Sequence, residues 1–407
     1  MMTATDVFAL AEKLARRFAI VADEADRANR FPHENIAAAK ESGYVLAGLP
    51  VEFGGWGLSA PDLCRTVRIL GRGCPSTTLG LLQHQLSVYL LGDWVRRGRW
   101  DGADFLRAVA ANRWVIGQYG GLPEFEGRVP RTATRVAGGW RFNGRAGWGT
   151  LSPAADYGVL ACAADVDGQA VAITGLFSFA DPGVQPQDDW DALGMRSSGS
   201  QDLVFADVFV PDERVFFTVA DRERLAPNPD NPNFLSFSYG MLFMMSLYLG
   251  IADAARHILL ETLTTRTQFG TDRPLAADPR LPSRVGEVEL IWRSANAWLD
   301  LLLERHPTPE GWGEAEHLEA MAMKDYVSHA AVDVVTRSME LLGGVALYRR
   351  TGLEKLYRDV RSATVHPLNH LAATELLGSH ALRSSARPRS EQSRALHPRR
   401  RRPSLPK

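Results

Sequence analysis

Cysteine is scarce in this chain: three in 407 residues, at Cys64, Cys74 and Cys162. Their spacing matches no metal-ligand or redox pattern, which excludes a disulfide framework and a cysteine-based zinc site and predicts reduced, buried thiols. No uninterrupted run of 18 apolar residues occurs, so no membrane span is expected. The first 30 residues mix acids and bases at helical spacing and lack the apolar core of a secretory leader. A cytoplasmic location is the resulting expectation. Charge of one sign is lacking too, for the net charge is −1. That balance hides an asymmetry. Residues 381–407 carry eight arginines, one lysine and one glutamate, which leaves the body at −9. An acidic body gives no basis for nucleic-acid binding. The basic tail, residues 383–407, lacks apolar periodicity and is expected to be disordered.

What is present is a chain long enough for several domains. Residues 4–30 place Val7, Leu10, Ala11, Leu14, Phe18 and Val21 at helical spacing. Further helices are predicted over 33–42, 60–72, 76–92 and 101–110, giving an N-terminal helical domain over residues 1–112. From 113 to 225 the pattern changes to short alternating runs, among them Thr132–Val136, Tyr157–Ala161, Ala170–Phe177 and Leu203–Val210. Turn signals such as Asn143-Gly144 and Asp167-Gly168 separate them, which predicts an antiparallel β-barrel or sandwich. Long helical runs return over Phe234–Arg266, Pro282–Arg305 and Glu314–Leu342, followed by shorter ones from Gly352 and over Pro367–Leu382. Residues 226–382 are therefore expected to form an antiparallel four-helix bundle. The fold class is α+β.

Five segments carry chemistry. Asn143-Gly144-Arg145-Ala146-Gly147-Trp148-Gly149-Thr150 reads as strand, turn and an aromatic-x-hydroxyl pair. Leu193-Gly194-Met195-Arg196-Ser197-Ser198-Gly199-Ser200 is a glycine- and serine-rich connection between strands. Arg266-Thr267-Gln268-Phe269-Gly270 closes a long helix, and a guanidinium there suits a diphosphate as well as a helix C-terminus. Gly343-Gly344 follows an apolar helix end, where a backbone without Cβ allows phosphate to approach, or simply stops a helix. Tyr357-Arg358-Asp359-Val360-Arg361 leads into His366 and Pro367.

In this order these segments resemble the acyl-CoA dehydrogenase family of flavoproteins, over most of residues 4–380, including its α–β–α architecture. The resemblance implies a bound FAD. Trp148 would pack on the flavin ring, with a plain core tryptophan as the alternative, and the Thr150 hydroxyl would serve the ring edge in catalysis. Arg266, Gln268 and Phe269, with Gly343 and Gly344, would hold the cofactor's other half, partly from a neighbouring subunit. A homo-oligomer, dimer or tetramer, follows. Arg196 and Ser200 would lie at the substrate entrance.

The chain departs from the family in several places. The position of the usual catalytic glutamate holds Pro367, and the second known position for the base holds Gly240. Glu340 stands three residues before Gly343, where glutamine is usual, which leaves FMN open. The segment Gln118-Tyr119-Gly120-Gly121-Leu122-Pro123-Glu124 replaces the family's flavin-ring loop. His366 is the natural substitute base, since an imidazole near neutrality accepts a proton readily. His84 is a candidate on the substrate side, although a passive role is favoured for it and for His370.

The resemblance implies an acyl-thioester dehydrogenase, by proton abstraction and hydride transfer to flavin N5. The alternative is a two-component monooxygenase that uses reduced flavin from a partner reductase and O₂ through a C4a-peroxide. An inactive flavin-binding homologue is the third reading. The partner would be a reductase or an electron-transfer flavoprotein.

Overall fold

The computed structural model describes residues 4–119, 131–220, 223, 227–228 and 230–385. Most of the altered loop (120–124) and nearly all of the basic tail (386–407) lie outside these residues.

Five helices open the chain: α1 (Ala4–Ala28), α2 (His33–Glu41), α3 (Ala60–Gly71), α4 (Pro75–Arg96) and α5 (Ala103–Asn112). Helix α3 starts where Ser59 accepts a bond from the Asp62 amide, with Pro61 in the first turn. Both features satisfy or remove donors that a helix start leaves unpaired. Helix α4 is buried on nearly every side, because the sheet, α3 and α7 enclose it.

The middle of the chain forms one eight-stranded sheet in the order β6-β7-β3-β2-β4-β5-β8, with β1 beside β4. The strands are β1 (Ile116–Gln118), β2 (Thr132–Val136), β3 (Gly139–Gly149), β4 (Tyr157–Val166), β5 (Gln169–Ser178), β6 (Val184–Pro186), β7 (Gln201–Pro211) and β8 (Val215–Ala220). The expected antiparallel order holds for most pairs, but β1 and β2 each pair with β4 in parallel. The β2–β3 hairpin separates β1 from β4, so no turn forces those two into opposite directions. The sheet is therefore mixed.

The C-terminal part contains α6 (Pro232–Ser238), α7 (Gly240–Thr265), α8 (Leu281–Arg305), α9 (Glu314–Leu342), α10 (Leu353–Val360), α11 (Ser362–Val365) and α12 (His370–Ser385). Helices α7, α8 and α9 pack on one another, and α3 joins them. The run expected to be one helix from Phe234 to Arg266 is broken at Tyr239, where the Leu242 amide bonds the Tyr239 carbonyl at 3.1 Å in a tight turn. The 232–265 stretch is long and apolar enough to cross a membrane, but 83% of its most apolar window is buried inside the protein. It is the central core helix. At its crossing with α3, a Cβ on Gly250 would lie 2.4 Å from the Arg68 carbonyl. Only glycine permits that approach.

Two buried connections fix the sheet to the helices. The Asp359 carboxylate, fully buried, accepts from the Met195 amide at 2.6 Å and from Lys355 Nζ at 2.6 Å. Arg358 reaches Asp26 of α1 at 2.6 Å. The Tyr357–Arg361 segment thus acts here as a junction between α1, α10 and the loop before β7.

Candidate functional site

A cavity of about 370 Å³ opens where α4, the sheet, the α6–α7 bend and the residues after α11 meet. That volume lies within the range of small-molecule pockets. Its wall is mainly apolar, with Leu86 and Leu90 from α4 and Phe237, Met241 and Met244 from the α6–α7 bend.

Trp148, Thr150, Ser200 and His366, four of the residues singled out from sequence, line this one cavity. Strand β3 brings in the first two through a bulge. Its register against β7 shifts between Ala146 and Gly149, and Trp148 takes a left-handed backbone, φ 52°. Such a bulge re-aims a side chain. The indole remains 48% exposed, at the cavity rim. Gly149 follows because a Cβ there would lie 2.4 Å from the Gln201 carbonyl of β7. Thr150 is buried, with its hydroxyl 2.8 Å from that of Ser200, which is 2.6 Å from that of Ser198.

His366 follows α11. Its Nδ1 lies 2.7 Å from the Tyr248 hydroxyl on α7. One edge of the ring meets the cavity, but protein crowds the remainder. That burial, with a smaller contribution from the Lys324 ammonium, pushes the imidazole down to about 4. Burial, followed by the Asp359 charge, holds the Tyr248 phenol well above its usual range. Tyr248 is therefore a protonated donor. Among the described residues His366 is its one hydrogen-bond partner, and the tautomer that satisfies the phenol's donor is the one in which Nδ1 accepts and Nε2 carries the hydrogen. This corrects the expectation of a near-neutral base. His366 is a neutral hydrogen-bond donor.

Sequence reasoning missed Tyr248, which lies in an apolar run without a distinguishing neighbour. It also missed a polar strip. Gln118 donates to the Ser87 hydroxyl at 3.1 Å and accepts from Ser236, and Ser87 donates to the Gln83 carbonyl at 2.8 Å.

Other candidates lie elsewhere. His84 does not line the cavity. It is fully buried, with Nε2 2.7 Å from the Val45 carbonyl and Nδ1 accepting from the Ile116 amide at 3.0 Å. Burial pushes it to about 4, and it is a structural, neutral ring. Arg196 does not line the cavity either. Its guanidinium bonds the Asp26 and Ala192 carbonyls at 3.0 Å each and pairs with Asp191. Arg266 and Phe269 are exposed beyond the end of α7, and Gln268 folds back on Pro274. Gly343 and Gly344 are exposed, with open space where a Cβ would stand. None of these five borders the cavity of its own chain.

Among the described residues the cavity wall contains no aspartate or glutamate. Gly240 and Pro367, at the two positions where a carboxylate base was sought, both line it. A Cβ on Gly240 would lie 2.8 Å from Leu86 Cδ2, so α4 occupies the space a longer side chain would use.

The wall fits a flavin ring. A flat heteroaromatic group requires an apolar slot with few polar partners. Trp148 supplies an aromatic face, and Thr150 with Ser200 supplies hydroxyls. The Tyr119 hydroxyl and Gln83 Oε1 are buried polar atoms at this wall with no partner among the described residues.

Comparison with known proteins agrees with this geometry. The models for the acyl-CoA dehydrogenase N-terminal and C-terminal domains match residues 7–94 and 235–366. YdbM of Bacillus subtilis, provisionally named an acyl-CoA dehydrogenase, is 30% identical over 383 residues, covering 91% of this chain and 95% of its own. Dibenzothiophene monooxygenase of Mycolicibacterium goodii is 27% identical, covering 89% of this chain and 90% of its own. The solved structure of KijD3 with FMN and dTDP-3-amino-2,3,6-trideoxy-4-keto-3-methyl-D-glucose superposes with a TM-score of 0.83 at 23% identity, covering 98% of each chain. This chain belongs to the acyl-CoA dehydrogenase family of flavin-dependent enzymes.

Proposed function

We propose that this protein is a flavin-dependent monooxygenase acting on a compact, largely apolar substrate, rather than a dehydrogenase of acyl thioesters. The observation that carries this reading is the absence of any carboxylate from the described cavity wall, with Gly240 and Pro367 at the two base positions. Removing a proton beside a thioester carbonyl requires a base, and a neutral imidazole with its lone pair already bonded to Tyr248 is a poor one. The relationship to a dibenzothiophene monooxygenase over most of both chains supports the same choice.

A reduced flavin bound here, supplied by a separate reductase, would provide the two electrons with which O₂ yields one inserted oxygen atom and one water. The chain's own residues do the remaining work. The apolar side chains of α4 and α7 exclude bulk water from the cavity. Trp148 covers the rim. The Thr150 and Ser200 hydroxyls, with Ser198 bonded behind Ser200, would donate to a flavin ring edge. His366 Nε2–H presents a fixed donor to an oxygen atom developing negative charge. Arg266, Gln268, Phe269, Gly343 and Gly344 would be the groups one subunit offers to the cofactor in its neighbour's cavity.

The test supplies reduced FMN and isotopically labelled O₂ with dibenzothiophene and indole as probe substrates. Label in the product, together with anaerobic inertness of the oxidised flavin toward a panel of acyl-CoA thioesters, is the expected result. Bleaching by any thioester would overturn the proposal and restore the dehydrogenase reading.

A further inference from the structure

Asp325 and His329 lie four residues apart on α9, so one helical turn places them on a common face. His370 begins α12 and comes down on the same face. One ring nitrogen of each histidine and a carboxylate oxygen of Asp325 all lie within 4.8 Å of one another. His370 Nδ1 is 3.0 Å from one Asp325 oxygen and 3.1 Å from the other. His329 Nδ1 donates to the Asp325 backbone carbonyl at 2.9 Å and is 3.7 Å from the nearer carboxylate oxygen, so ligation of a metal ion would exchange that hydrogen bond for the ion. The two imidazoles meet edge to face with centroids 5.1 Å apart. Both histidines are exposed, whereas the Asp325 side chain is only 18% so.

The geometry points to a divalent transition-metal site made of His329, His370 and Asp325, outside the flavin cavity. Zinc bound at about 2.0–2.1 Å in a tetrahedron keeps its ligand atoms about 3.3 Å apart, so small rotations of exposed imidazoles complete the set. Two imidazoles and one carboxylate select Zn²⁺, Ni²⁺ or Cu²⁺ over Mg²⁺ and Ca²⁺, which prefer oxygen alone. The fourth position faces solvent and takes water.

The position gives the ion a structural consequence. Lys324, the residue before Asp325, already holds the Leu368 carbonyl at 2.6 Å. An ion joining α9 to His370 would clamp the other end of the same short segment, residues 366–370, which begins with His366. Bound to both helices, it would favour the arrangement that keeps His370 against α9 by mass action.

The test is calorimetric titration of the EDTA-treated full chain with Zn²⁺, with Mg²⁺ as the control. One Zn²⁺ per chain is expected, with affinity reduced by at least about tenfold in His329→Gln and in His370→Gln. Both side chains are exposed, so both variants should retain the fold, which circular dichroism checks. Amide exchange over 366–373 should slow on adding Zn²⁺ in the wild type and not in either variant. Lack of Zn²⁺ binding by the folded wild type, or wild-type affinity retained in either variant, would overturn the proposal, since an ion pair between His370 and Asp325 would then explain the cluster.

Discussion

The Tyr248 hydroxyl lies 2.7 Å from Nδ1 of His366, and this bond determines which ring nitrogen carries the proton. With the phenol pushed up and the imidazole pushed down to about 4, Tyr248 donates and His366 stays neutral with its hydrogen on Nε2. Nitrogen NMR of the imidazole should show that tautomer, with no titration above about pH 5. Tyr248→Phe removes the donor, so the hydrogen should redistribute to Nδ1 and turnover should fall by about tenfold. His366→Gln should lower kcat by about 100-fold with the fold intact. A wild-type ring that titrates near its ordinary value would refute the assignment.

Acid sensitivity follows from the same kind of burial at His84. Its folded value, about 4, lies below the ordinary 6.5, so below pH 6.5 the unfolded chain binds a proton that the folded chain refuses. Stability from this group is full above 6.5 and is lost progressively as pH falls toward 4. The difference amounts to roughly 3 kcal/mol. Urea unfolding between pH 7 and 4 should show the decline. In His84→Gln the wild-type chain's advantage at neutral pH should shrink as the pH drops. A parallel decline in both proteins would exclude His84 as the cause.

Trp148 sets a local cost against a functional gain. A bulky residue at φ 52° is strained, and a half-exposed indole recovers little by burial. Trp148→Gly should therefore leave unfolding free energy within about 1 kcal/mol of wild type, since glycine accepts that backbone without penalty. Flavin affinity should nevertheless fall by about tenfold once the aromatic face is gone. Fluorescence titration and urea unfolding on the same preparation separate the two effects. A large loss of stability would mark the indole as core.

Much of the architecture was legible because long periodic runs leave few alternatives. The helices over 281–305 and 314–342 end within a residue of where capping and periodicity place them. The parallel strand pairs were not legible, since they depend on partners distant in sequence. In the site, Trp148 and Thr150 were readable from a local pattern, but Tyr248 was not. A phenol within an apolar run signals nothing until the facing loop is known. His84, a substrate-side candidate for which a passive role is favoured, is structural because successive helical residues diverge by about 100°. Gln83 consequently lines the cavity, while His84 and Gln85 bond the 44–48 segment and the Ile116 amide. The Arg358-Asp359 pair, part of a segment that carries the family resemblance, is a buried junction. Lys355, four residues before Asp359, was the available signal for that.

The exposed Arg266 and Phe269 make a prediction that a single subunit cannot satisfy. Both belong to the loop beyond α7 and neither borders the cavity of its own chain. If they complete a neighbour's site, Arg266→Ala and Trp148→Gly damage each site from different subunits. A mixed dimer then has one site with both defects and one with neither. Co-refolding the two weakened variants in equal amounts should restore wild-type affinity at about a quarter of the flavin-binding sites, because half the dimers are mixed and each has one intact site. If both residues act within one chain, every site in the mixture keeps a defect and no tight binding returns. Equilibrium dialysis against FMN and FAD in turn counts the sites. The same measurement shows which flavin the restored site prefers.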